Sequence, residues 1–167
     1  MRRLPVLQNN ADDDAPQRPP WQWVAIGALL AISIWIPLLT VSLWLRARLL
    51  AEVLPEGAAE LAARVAEASP GQKIALALSA LAPVLIPWML ACAAAGALVG
   101  RFGGAAGRRH AAYAGGLAAA AAVVVAVLGG ALGTALAFAS SAVVLGVSAA
   151  GAAWLGGKFG ERRRFKV

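Results

Sequence analysis

Three stretches of the chain contain no Asp, Glu, Lys, Arg or His: Trp21 to Leu45, Ile74 to Gly100 and Ala111 to Gly157. About 20 apolar helical residues cross the ~30 Å hydrocarbon core of a bilayer, so each stretch is long enough to span it. The third, with its 47 residues, is too long for one crossing. As a single helix it would be a rod of about 70 Å, so it must fold back as a hairpin. Its bend is expected in "GGALGT" at Gly129–Thr134, where glycine permits turn dihedrals, with "ASSA" at Ala139–Ala142 as the rival. The sequence therefore predicts an all-α fold, an integral membrane four-helix bundle with helices at about 21–45, 74–100, 112–132 and 135–157. Composition agrees: 60% of the residues are hydrophobic and 14% charged, with a mean hydropathy of +0.73, whereas soluble domains carry about 25% charged residues.

The charges set the orientation. With both termini on one side, that side holds Arg2, Arg3, Arg18, Arg101, Arg108, Arg109, Lys158, Arg162, Arg163, Arg164 and Lys166. The other side holds only Arg46, Arg48, Arg64 and Lys73. The positive-inside rule then puts both termini in the cytoplasm. The net charge of +7 is thus mostly a topology signal. A nucleic-acid partner is not expected, because no soluble basic surface with stacking aromatics exists to bind one. The first apolar stretch exceeds a 7–15-residue signal-peptide core and lacks a small-x-small cleavage site after it, so it is expected to remain as a span.

Outside the spans, residues 1–20 are polar and Pro-rich and are expected to form a disordered cytoplasmic tail. Residues 158–167 form a basic cytoplasmic tail. Trp21, Trp23 and Trp44 bracket the first span as interfacial belt anchors. Between the first two spans, Leu54, Ala58, Leu61 and Val65 repeat at helical spacing, with Glu60 and Arg64 at i, i+4. They predict an amphipathic surface helix at about 55–69, begun by Pro55 and stopped by Pro70-Gly71. It either caps its own bundle or docks a partner.

Fifteen of the 18 glycines follow residue 95, and GxxxG spacings occur at Gly96/Gly100, Gly129/Gly133 and Gly156/Gly160. Such spacings let helix backbones approach closely in lipid. One cadence recurs, "AAGALVGRFG" at Ala94–Gly103 and "AAGAAWLGGKFG" at Ala149–Gly160. Each copy is read as a helix exit on the cytoplasmic side. Small residues pack the helix end, Arg101 or Lys158 reaches the headgroups, and Phe102 or Phe159 sits at the interface. Gly103 or Gly160 then ends the helix in a left-handed conformation, and the basic clusters beyond hold the loop inside. A duplicated hairpin and a shared interfacial chemistry both explain the repetition.

Little catalytic chemistry is legible. The spans carry no Asp, Glu, Lys, Arg or His for proton-coupled transport. "GVSA" at Gly146–Ala149 resembles the serine motif of rhomboid proteases over four residues. A serine nucleophile needs a base within hydrogen-bond reach, however, and the one histidine, His110, falls at the far end of the third span. No catalytic residue, cofactor or metal is expected. One constellation suggests a site. Pro37 and Pro83 lie at matching depth below the outer interface, and each frees the carbonyl four residues earlier, at Ser33 and Ser79. With Pro87 one turn deeper and Thr40 nearby, two kinks at one level would open a small polar recess. The plainer alternative is that hydroxyls and neighbouring helices satisfy the kinked backbones.

The expected function is a non-enzymatic small membrane protein, a subunit or scaffold that packs against other membrane helices through Gly/Ala-rich faces. The alternative is a small homo-oligomeric channel or facilitator for an uncharged solute. Expected partners are anionic headgroups at the cytoplasmic face, through Arg101, Arg108, Arg109, Lys158, Arg162, Arg163, Arg164 and Lys166, and another membrane protein or a second copy of the chain. High Ala, Gly and Arg usage points to a bacterial inner membrane.

Overall fold

The computed structural model describes residues 19–53, 67–103, 106–128 and 135–164. It consists of four helices: α1 (Pro20–Val53), α2 (Pro70–Phe102), α3 (Arg108–Leu128) and α4 (Ala135–Arg164). Each contains a segment apolar and long enough to cross a bilayer, at Pro20–Arg48, Leu81–Phe102, Arg108–Leu128 and Ala139–Arg162. The protein is an all-α, multi-pass membrane four-helix bundle. Almost all of the tail expected over residues 1–20 and of the surface helix at about 55–69, and the bend at Gly129–Thr134, lie outside the described residues; Pro20 already belongs to α1. Ala139–Ala142 is helical, inside α4, so the chain does not bend there.

Several helix boundaries differ from the sequence reading; α1 runs past residue 45 to Val53 and α3 starts at Arg108. Pro70, expected only to stop the preceding surface helix, also begins α2, ahead of the expected start at about 74. Ser69 is its N-cap: the Ser69 hydroxyl accepts from the Gln72 N–H at 3.4 Å, and the Ser69 N–H donates to Gln72 Oε1 at 2.9 Å. This is a reciprocal capping box with proline at the first helical position, where its missing N–H is not needed. At the other end, α4 does not stop near residue 157. It runs on to Arg164, so much of the expected basic tail is helix.

Neighbours around the bundle are α1, α2, α4 and α3 in that order, with α2 and α3 nearer across the diagonal. Sequential helices run antiparallel, which makes α2 and α4 a parallel pair. The starts of α1 and α3 and the ends of α2 and α4 meet at one end, termed here the terminal end. There Trp23 packs on Val99, Ala106 and Ala111, so this tryptophan takes part in the packing of the bundle. The larger core cluster comprises Ala28, Ala31, Trp88, Cys92, Ala95, Ala118, Ala119, Ala149, Ala152 and Ala153. Alanine dominates because lipid is as apolar as leucine. Membrane helices gain from close backbone approach rather than from burying bulk. Burial is also lopsided. Beyond Ala31 on α1, before Pro87 on α2, beyond Val123 on α3 and before Ala149 on α4, no described residue is buried.

Candidate functional site

Among the described residues, the closest helix approach is the α2–α4 seam. A Cβ built on Gly96 would lie 2.8 Å from the Ala153 carbonyl carbon, and one on Gly100 would lie 2.9 Å from the Gly157 Cα. From the other side, a Cβ on Gly156 would lie 2.8 Å from the Ala93 carbonyl carbon, and one on Gly160 would lie 2.8 Å from the Arg101 nitrogen. Real Cβ atoms do not approach backbone this closely, so these four positions admit only hydrogen. The contacts are reciprocal. Exchanging residues 60 apart turns Gly96 on Ala153 into Gly156 on Ala93, and Gly100 on Gly157 into Gly160 on Ala97. The two GxxxG motifs therefore face each other in parallel about a local two-fold. The repeated Gly-[Arg/Lys]-Phe-Gly words, in contrast, align at a spacing of 57. Packing register and repeat register differ by three residues, almost one turn. Gly129 and Gly133 lie outside the described residues.

The two repeated words end differently. Gly103 does cap α2, its N–H donating to the Val99 carbonyl at 2.8 Å. Its φ of −72° and ψ of 7° are not left-handed, contrary to the expected helix exit. Gly160 lies inside α4, where its missing side chain admits the Ala97 carbonyl. It is a packing position rather than a helix end.

Basic groups gather at the terminal end. The Arg108 guanidinium and the Lys158 Nζ both lie over the Trp154 ring, 5.7 and 5.5 Å from its centre. Arg101 lies 5.3 Å over the ring of Phe102, while Phe102 and Phe159 are exposed. Arg109 and Arg162 are exposed at the same end. The side chains of Arg163 and Arg164, and all of Lys166, fall outside the described set. One acidic group sits among these cations: Glu161 Oε1 accepts from the Arg108 backbone N–H at 2.6 Å. The carboxylate thus caps the N-terminus of α3 from the far end of α4, where the helix dipole favours negative charge. Sequence reading overlooked Glu161. Its signal was an acidic residue alone in a run of basic ones.

The expected proline recess does not assemble from its α1 members. Ser33, Pro37 and Thr40 are exposed. The Thr40 hydroxyl donates to the Ile36 carbonyl of its own helix at 3.0 Å. Pro87 is buried and Pro83 partly so; the Ser79 side chain is outside the described set. The register differs too. Trp35 meets Trp88 edge to face, with ring centres 5.0 Å apart, which sets Pro37 level with Ile86–Pro87 rather than with Pro83. The tryptophans hold the level assigned to the recess. Trp88 Nε1 donates to the Leu145 carbonyl at 3.3 Å and so ties α2 to α4 as well. "WIP" at Trp35–Pro37 and "IPW" at Ile86–Trp88 were the available signal: aromatic residues deep in apolar spans, where an interfacial belt does not reach.

Ser148 donates its hydroxyl to the Leu145 carbonyl of its own helix at 3.2 Å. Gly115 packs on Ala149, so Ser148 lies near the level of Gly116, about 9 Å along the bundle from His110. The His110 ring contacts Tyr113 edge-on at 6.1 Å. Among the described residues, no three His, Cys, Asp or Glu side chains stand close enough together to share a metal.

Two apolar grooves open on the lipid-facing surface. One, of about 520 Å³, lies between α3 and α4 and is lined by Gly116, Ala119, Ala120, Val123, Val124, Val127, Leu128, Ala142 and Gly146. A Cβ on Gly116 or Gly146 would meet nothing within 4 Å. The other, of about 810 Å³, runs along the outside of the α2–α4 seam from Met89 and Val147 to Phe159. Compared with known proteins, the chain matches no family model, no curated protein and no solved structure.

Proposed function

We propose that this protein is a non-enzymatic subunit or scaffold of a bacterial inner membrane, with both termini in the cytoplasm. Its partner is another membrane-embedded helix, which docks in the α3–α4 groove. The observation that carries this reading is where the glycines are used. Gly96, Gly100, Gly156 and Gly160 face backbone inside the bundle, so they hold the protein itself together. Gly116 and Gly146 face open space in a groove, on the side of the bundle where burial fades. A groove floored by glycine lets a second helix approach its backbone closely, the interaction that membrane helices use for association. The positive-inside balance supports the orientation, and the basic terminal end then meets anionic headgroups of the inner leaflet.

The channel reading has less support. The buried residues described are all apolar or glycine, and the hydroxyls of Thr40 and Ser148 are engaged by their own helices.

Extraction in native lipid particles from the producing cell tests the proposal. The expected result is one membrane protein co-purifying at fixed stoichiometry, lost in Gly146→Leu while the fold persists. A homo-oligomer of defined number would move the reading to a channel, and a lone monomer would end both.

A further inference from the structure

The groove outside the α2–α4 seam has a size and a rim that specify its occupant. Its length on α4, from Val147 to Phe159, is about 18 Å of helix. That is about one leaflet of a ~30 Å core. Its volume of about 810 Å³ falls in the range of about 300–1,000 Å³ typical of ligand pockets. The walls are apolar: Met89, Ala93 and Ala97 on one side, Leu155 and Phe159 on the other, with Gly151 open between them. Trp154 also lines the groove, and the cations of Arg108 and Lys158 both rest on its ring. The acidic side chain described here, Glu161, is directed to the N-terminus of α3.

An apolar slot one leaflet long, with two cations resting on an indole of its wall, is complementary to one kind of molecule. We propose that it is a binding site for an anionic phospholipid: an acyl chain lies along the slot, and the phosphate is held by Lys158 and Arg108. The tryptophan holds both cations beside the slot. This deepens the headgroup part of the function proposed above and does not depend on a protein partner.

The test uses purified protein in vesicles of equal phosphatidylglycerol and phosphatidylcholine, gentle extraction, and native mass spectrometry of the lipid retained. No other protein is present, so the outcome is separate from the search for a partner. One phosphatidylglycerol is expected per chain, preferred over phosphatidylcholine by about fivefold for each cation that holds it. Lys158→Gln should lower that preference about fivefold. Gly151→Leu, which places a side chain where a Cβ meets nothing within 4 Å, should abolish retention without disturbing the bundle. Equal retention of the two lipids by the wild type overturns the proposal. So does unchanged retention in Gly151→Leu, which would mean that headgroups are held without the slot. Should Gly151→Leu fail to fold, the wild-type preference and its response to Lys158→Gln still decide.

Discussion

At the residue scale, two glycines on the same helix have opposite roles. Gly156 carries no side chain because the Ala93 carbonyl occupies the space; Gly151, five residues earlier, faces open space. Gly156→Ala should therefore lower stability by about 1–3 kcal/mol, the range for overpacking a close contact. Gly151→Ala should leave stability unchanged or raise it by up to about 1 kcal/mol, because alanine is the better helix former. Thermal unfolding of the two variants in one detergent makes the comparison. A matching loss in both would mean that glycine acts through helix flexibility rather than close approach. Sequence reading placed Gly156 in a packing motif through its spacing from Gly160. It had no means of telling Gly156 from Gly151, since one more glycine in an Ala/Gly-rich segment looks the same until a neighbouring backbone is in place.

At the element scale, α3 is begun by a side chain from another helix. Its start, Gly107-Arg108, has no Ser, Thr, Asp or Asn of its own, and Glu161 supplies the acceptor. Loss of such a cap costs about 0.5–2 kcal/mol. Glu161→Ala should therefore speed amide hydrogen exchange in the first turn of α3, while Glu161→Gln, which keeps an acceptor oxygen, should do so less. Unchanged exchange in Glu161→Ala would remove the cap from the account. The contact also explains why α4 outruns its predicted end. Helix must continue past Lys158 to bring Glu161 over Arg108, and the charges that suggested a tail are carried on the helix surface. The start of α2 was legible in the same kind of signal, Ser69-Pro70-Gly71-Gln72. The sequence reading used this proline only as a stop, although a proline that stops one helix is equally suited to begin the next.

At the scale of the whole molecule, packing and charge are both concentrated at the terminal end, and the orientation proposal turns on that end. A fluorescent protein that matures in the cytoplasm, fused after Val167, should fluoresce, and alkaline phosphatase at the same site should stay inactive. The opposite pattern would invert the bundle and place its basic end outside. The lopsided burial bears on assembly. The terminal half is close-packed through alanine and reciprocal glycine, whereas the other half presents Val124, Val127 and Leu128 to the groove proposed for the partner helix.

Sequence by itself determined that the chain crosses a membrane four times, and roughly where. Charge is too costly in hydrocarbon to be hidden, and span length follows from bilayer thickness. It also carried the positive-inside bias that underlies the orientation proposed. Tertiary structure alone decided which glycines meet backbone and which stay open. It alone showed that Trp35 and Trp88 meet beside Pro37 and Pro87, and that Glu161 reaches across to cap α3. These depend on how four helices are rotated and slid against one another. In a chain so rich in Ala, Gly and Val, one-dimensional pattern constrains rotation weakly, because nearly every face of every helix is apolar enough to be inside.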